Sequence, residues 1–167
     1  SAADLLPLRG HDRVLGLAEM MNFPGLLHKD PDVLEKLAAF SDGLVDGHAP
    51  LVRGRDLDAY AACGIRNCHE STLLEEAREK LTKGLMVFLR DGSVSKDVAR
   101  LAPLLDVTTS PFLAFCTDDR NPLDIEEEGH LDHLVRTAIA AGVPPLAANR
   151  AARSEEHTSE LQSLTNI

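Results

Sequence analysis

Glu19, His48, His69 and Asp118 are residues of the types that hold metal ions and move protons, and each stands at the end of a short apolar run. Glu70 follows His69 directly; Arg90, Asp91 and Ser93 close a fourth run, and Asp119 and Arg120 follow Asp118. Two imidazoles with carboxylates suit Zn, Fe, Mn or Ni better than Ca. A divalent ion so held lowers the pKa of water toward neutrality and supplies hydroxide as nucleophile. A nearby carboxylate can take that proton and pass it to a leaving group. Together the residues read as a hydrolytic metal site. Singly, each has a blander reading. A strand-end His commonly hydrogen-bonds within its loop, and a carboxylate in an apolar run, such as Glu19, can be held by an Arg or Lys because an unpaired one is costly to bury. Asp118-Asp119 could equally cap a helix. Only the joint order favours chemistry.

The apolar runs alternate with amphipathic stretches. Val14-Leu15-Gly16-Leu17-Ala18 reads as a buried strand, followed by a loop with Asn22, Pro24 and Gly25. Asp30-Pro31 then opens a helix with a capping Asp and Pro at the first helical position. A second strand, around Gly43 to Gly47, ends at His48, and Asp56 is expected to cap the next helix, with Leu57, Tyr60 and Ala61 inward. A weak third strand, Gly64 to Cys68, ends at His69. Thr72 and Glu75 have the spacing of a capping box, and Lys80 and Lys83 sit in that helix's last turn. Leu85 to Leu89 and Phe112 to Cys116 are the fourth and fifth strands, followed by helices near Ser95 and His130 and a short helix led by Pro145. Strands alternating with helices imply an α/β protein with a parallel sheet. Such a sheet can be open and doubly wound or closed into a barrel, and periodicity does not separate the two. In either case ligands gather at the C-terminal ends of the strands, where the polar residues fall.

Composition narrows the class. The chain has 167 residues, 44% apolar and 26% charged, as expected of a globular domain or part of one. A net charge of −10, from 17 basic and 27 acidic residues, argues against a nucleic-acid partner. No apolar run approaches the ~20 residues that span a bilayer, so no membrane role is expected. Cys63, Cys68 and Cys116 form no CxxC pair and read as reduced thiols of a cytoplasmic protein. The start, without Met and without a signal-peptide pattern, suits a piece of a longer chain. Residues 153–167 are polar, lack an apolar face and resemble a translated sequencing-adapter read. The expected division is therefore a domain over 1–152 and an unstructured tail. His130 and His133, one helical turn apart behind the acidic run Glu126 to Glu128, read as a solvated helix start rather than a metal site. Gly92-Ser93 lacks the GxxxxGK[ST] or GxGxxG pattern of a nucleotide loop.

The local text resembles bacterial adenine deaminases of the amidohydrolase superfamily. The resemblance rests on Leu17-Ala18-Glu19-Met20-Met21-Asn22-Phe23-Pro24-Gly25, Val45-Asp46-Gly47-His48-Ala49-Pro50, His69-Glu70, Arg90-Asp91-Gly92-Ser93 and Phe115-Cys116-Thr117-Asp118-Asp119-Arg120, in that order. It implies a partial (β/α)8 TIM barrel, about strands four to eight, with a binuclear Mn²⁺ or Fe²⁺ centre and a purine as small-molecule substrate. Glu19 would bridge the two ions, His48 and His69 would be further ligands, and Asp118 would bind metal and shuttle protons. Glu70 would contact the purine or assist proton transfer, while Arg90, Ser93, Asp119 and Arg120 would shape the pocket or support its residues. Water attack at C6 of adenine would release ammonia and leave hypoxanthine, a purine-salvage reaction. The resemblance leaves open a homo-oligomeric parent.

Three departures stand out. The family's first-strand His-x-His pair and its last domain fall outside this chain, so the isolated piece is expected to be inactive. Cys68 stands where the family would carry an Asp supporting His69. Two alternatives remain: another metal-dependent cyclic amidohydrolase, or a non-catalytic open α/β module of receiver or flavodoxin type.

Overall fold

A computed structural model describes residues 1–153. The tail, apart from Arg153, lies outside the described residues; Arg153 itself is helical, with 145–152 before it. Among the described residues five short strands run through the fold: β1 (Gly16–Met20), β2 (Leu44–Gly47), β3 (Asn67–Cys68), β4 (Met86–Arg90) and β5 (Leu113–Cys116). The strand pairings are parallel: β1 with β2, β3 with β4, and β4 with β5. Between β2 and β3 a side chain replaces the backbone ladder. Asn67 Oδ1 accepts from Gly47 N at 2.8 Å, and Asn67 Nδ2 donates to Asp46 Oδ1 at 2.6 Å. The strands therefore lie side by side in chain order.

A helix follows every strand, which is what parallel order requires. After an N-terminal helix α1 (Ala2–Arg9) and β1 come α2 (Phe23–Leu27) and α3 (Pro31–Ala39). Next are α4 (Gly54–Ala62) after β2, α5 (Leu74–Thr82) after β3, α6 (Val98–Leu101) after β4, and α7 (Pro122–Glu128) and α8 (Leu131–Ala140) after β5. Among the described residues no helix is long and apolar enough to cross a membrane.

The period-two alternation of strands divides the molecule into two faces. In β4, Val87 and Leu89 are fully buried against α5, α6 and α8, in one cluster with Leu101, Leu113, Phe115 and Leu134. Val45, Leu57, Tyr60, Ile65 and Leu85 form a second cluster under β1 to β3. The opposite strand face, with Leu44, Asp46, Met86 and Phe88, is only half-buried.

Gly47 sits where the two pairings meet. A Cβ there would lie 2.0 Å from the carbonyl oxygen of Asn67 and 2.8 Å from Ile65 Cγ2. The nearer atom is backbone, so no side-chain rotation relieves the clash. Gly47→Ala is expected to lower stability by about 1–3 kcal/mol or more, read as a lower urea midpoint; an unchanged midpoint would mean that β2 and β3 are not this close.

Local capping departs from the sequence reading. Asp30 does cap α3, accepting from Asp32 N at 2.9 Å. Asp56, however, lies inside the first turn of α4, whose first amide, Gly54 N, is taken at 2.7 Å by Glu79 from α5. Thr72 and Glu75 form no capping box: α5 begins at Leu74, and Thr72 N instead meets Glu76 Oε2 at 3.4 Å. The stretch expected as loop after β1 contains α2, where Asn22 accepts from Gly25 N at 3.0 Å.

Candidate metal centre

Strand one begins later than the apolar run suggests, because Leu15 is 76% exposed and outside it. The pairing explains where Glu19 goes. Leu17 faces Val45 and Met20 faces Gly47, so Ala18 and Glu19 together oppose the single residue Asp46. Two residues against one is a β-bulge, which re-aims a side chain. Here Ala18 and Glu19 both line the half-open cavity, of about 270 Å³, at the strand ends. Asp46, Asn67, His69, Phe88, Cys116 and Asp118 complete that lining.

Glu19, His48 and His69 converge at its rim. His48 Nδ1 and His69 Nε2 each lie 3.1 Å from Glu19 Oε2 and 3.3 Å from one another. The two rings meet edge-on, at 67° and 5.3 Å between centroids. A proton on one ring nitrogen satisfies only one of these three contacts at a time. A cation satisfies all three, and two imidazoles with a carboxylate are a donor set for a divalent transition ion. The residues fit such an ion.

Glu70 Oε1 lies 3.9 Å from both His48 Nδ1 and His69 Nε2. His69, Glu70 and Asp118 form a second group able to hold an ion, overlapping the first at His69. Arg90 is shared between its carboxylates: the guanidinium contacts Glu70 and donates to Asp118 Oδ2 at 2.7 Å. Burial works to lower the Arg90 pKa, but Glu70 and Asp118 outweigh it and hold the pKa above its usual value. Arg90 Nε is buried with no partner among the described residues, a donor still free to take an acceptor. Asp118 has φ +47°, left-handed backbone that non-glycine residues rarely adopt. Such conformations cluster at functional sites.

Ser93, Asp119 and Arg120 lie in the neighbouring loops, outside the convergent group. Ser93 Oγ accepts from Asn121 N and Nδ2, both at 2.9 Å, and donates to Asp124. Asp119 Oδ2 accepts from Val94 N at 3.0 Å. Arg120, 7% exposed, donates to Gly129 O at 2.8 Å and pairs with Glu128 at 2.5 Å. Ser93 and Asp119, with Arg120 Nη1 reaching Asp91 O at 3.5 Å, clamp the loop after β4 to the loop after β5, and so hold Arg90 and Asp118 in register. Asp91 turns away from the cavity and accepts from Val98 N at 3.1 Å, capping α6. His130 Nε2 bonds with Thr117 Oγ1 at 3.0 Å and His133 Nε2 with Thr137 Oγ1 at 3.5 Å, apart from the convergent group.

Cys68 points into the apolar cluster beneath the strands, fully buried, with its thiol 3.6 Å from Glu70 O. Two contributors lie beyond the spacing rules. Tyr60, marked by periodicity only as an inward helix residue, accepts from His48 N at 2.8 Å and donates to Met20 O at 3.3 Å. Burial pushes its phenol well above the ordinary value, so it stays a donor. Asn67, the joint between β2 and β3, is the other.

Parallel strands each followed by a helix, with a His–His–carboxylate group at their C-terminal ends, define an α/β protein with a candidate metal centre. Over the stretch it covers, the chain is similar to bacterial proteins named adenine deaminase. It is 70% identical over 151 residues to an adenine deaminase of Methylobacterium nodulans, covering 90% of this chain and 27% of the relative. An adenine deaminase of Cereibacter sphaeroides is 62% identical over 90% of this chain and 27% of its own length. Adenine deaminase 1 of Rhizobium meliloti is 61% identical over 89% and 26%. The chain thus spans about a quarter of the length of the curated relatives it matches. No family model matches it.

Proposed function

We propose that this chain supplies the larger part of the metal site of an adenine deaminase, with residues 1–152 forming about strands four to eight of a (β/α)8 barrel. The convergence of Glu19, His48 and His69 at 3.1–3.3 Å carries the reading. The relatives' name and the side-by-side order of five parallel strands support it. Glu19, His48, His69 and Asp118 would hold Mn²⁺ or Fe²⁺, two ions in the complete enzyme. When bound, the metal supplies water acidified enough to act as hydroxide at neutral pH.

The chain's own residues do the rest. Asp118 takes the proton of the attacking water on a carboxylate oxygen. It then delivers that proton to the amino group leaving C6, so adenine and water become hypoxanthine and ammonia. Arg90 holds Asp118 and Glu70 through one guanidinium, fixing the proton carrier beside the purine-contacting carboxylate. The half-buried apolar wall at Phe88 gives the purine a dry face.

The test joins this chain to the remaining sequence of the Methylobacterium nodulans relative and adds Mn²⁺ or Fe²⁺. Ammonia release is expected from adenine and not from hydantoin or dihydroorotate. Turnover of the cyclic amides instead would replace this reading with a cyclic amidohydrolase. Failure to bind any divalent ion would favour a non-catalytic module.

A further inference from the structure

Lys80 and Glu76 are fully buried in α5 and paired at 2.7 Å, one turn apart. Neither touches the convergent ligand atoms, yet the pair grips both loops that carry them. Lys80 Nζ donates to Ala49 O at 2.9 Å, to Glu70 O and to Ser71 Oγ at 3.1 Å. Glu76 Oε1 accepts from Leu51 N at 2.8 Å, and Oε2 from Thr72 N at 3.4 Å. The residues gripped are those just after His48 and His69. Leu51 is held in left-handed backbone, φ +61°, a cost that its surroundings must over-determine.

Stability alone does not account for this pair. A buried ion pair commonly contributes no more than an apolar pair of the same volume, because desolvation offsets the attraction. Its distinctive property is direction: an ammonium aims three hydrogens, here shared between Glu76 and backbone and side-chain acceptors from two separate loops. We propose that Lys80, braced by Glu76, is a positioning residue that sets the spacing of His48 and His69 for metal. The metal part of this proposal rests on the reading above.

The test uses the full chain with Lys80→Met and Glu76→Gln combined, which leaves no unpaired buried charge and keeps an acceptor for Leu51 N. Leu134→Ala, in the other core cluster, is the control for general destabilisation. At a temperature where all are folded, the double variant is expected to bind Mn²⁺ about 10–100-fold more weakly, as for lost partners outside a ligand set. Its metal-free amide exchange should speed up at least about tenfold over both 48–51 and 69–72, whereas Leu134→Ala should alter neither affinity nor those stretches. Parental affinity in the double variant would overturn the proposal. If the parent chain itself binds no Mn²⁺, the metal reading is at fault. Exchange then decides alone: faster in both loops supports Lys80 as their positioner, and unchanged protection overturns it.

Discussion

The chain carrying His48→Ala is expected to lose its response to manganese while keeping its fold. Mn²⁺ at about 100 times its dissociation constant should stabilise the parent by about 2.7 kcal/mol. For a domain of this size that is a rise in Tm of roughly 5–11 °C. In the variant the rise should vanish, and binding should weaken by more than about 100-fold, since even partners outside a ligand set cost about 10–100-fold. The fold should survive because His48 is anchored by its backbone, whose N–H bonds to Tyr60 whatever the side chain, and its ring meets the site residues Glu19, His69 and Glu70. The metal-free variant should also melt no lower than the metal-free parent. Its ring nitrogen shares one carboxylate oxygen with His69, and removing it leaves Glu19 and His69 still paired at 3.1 Å. Differential scanning fluorimetry with and without Mn²⁺ reads both effects. An equal Tm rise in parent and variant would remove His48 from the site.

How much of this was legible beforehand follows from the range over which each cause acts. The β/α alternation could be read because apolar runs and helical periodicity are local, and His48 and His69 stand directly after their strands as expected. Glu19 stands in its strand as the local text implies, but its aim depends on the bulge opposite Asp46, a property of two strands and not of one. The caps failed for the same reason. Asp56 and the Thr72–Glu75 pair have suitable spacing, yet partners 25 residues away along the chain, or one helix turn further on, take those amides. Ser93, Asp119 and Arg120 share the strand-end location of the ligands without converging on them. Their bonds instead join two loops, which no spacing rule distinguishes from a ligand's place. Tyr60, Asn67 and Lys80 were invisible as contributors because their partners in the strands and loops lie 9 to 40 residues away.

The second large effect is expected at Asp118, in the enzyme completed as above. Asp118→Asn should lower kcat by about 10²–10⁴-fold, the usual contribution of a positioned proton carrier. The substitution isolates the proton from the geometry. Asparagine tolerates left-handed backbone as well as aspartate does, so φ +47° at this position imposes no new strain. Its carbonyl oxygen can still accept from Arg90, which keeps the guanidinium in place against Glu70. The amide cannot take a proton from water, so the loss should fall on kcat, with KM for adenine changed far less. The ion held by Glu19, His48 and His69 should remain, because these three converge independently of Asp118. If instead metal is lost along with activity, Asp118 acts chiefly as a ligand. If kcat is unchanged with metal in place, the proton passes through another group. Glu70, held to the same arginine and 3.9 Å from both imidazoles, is then the residue that the geometry nominates.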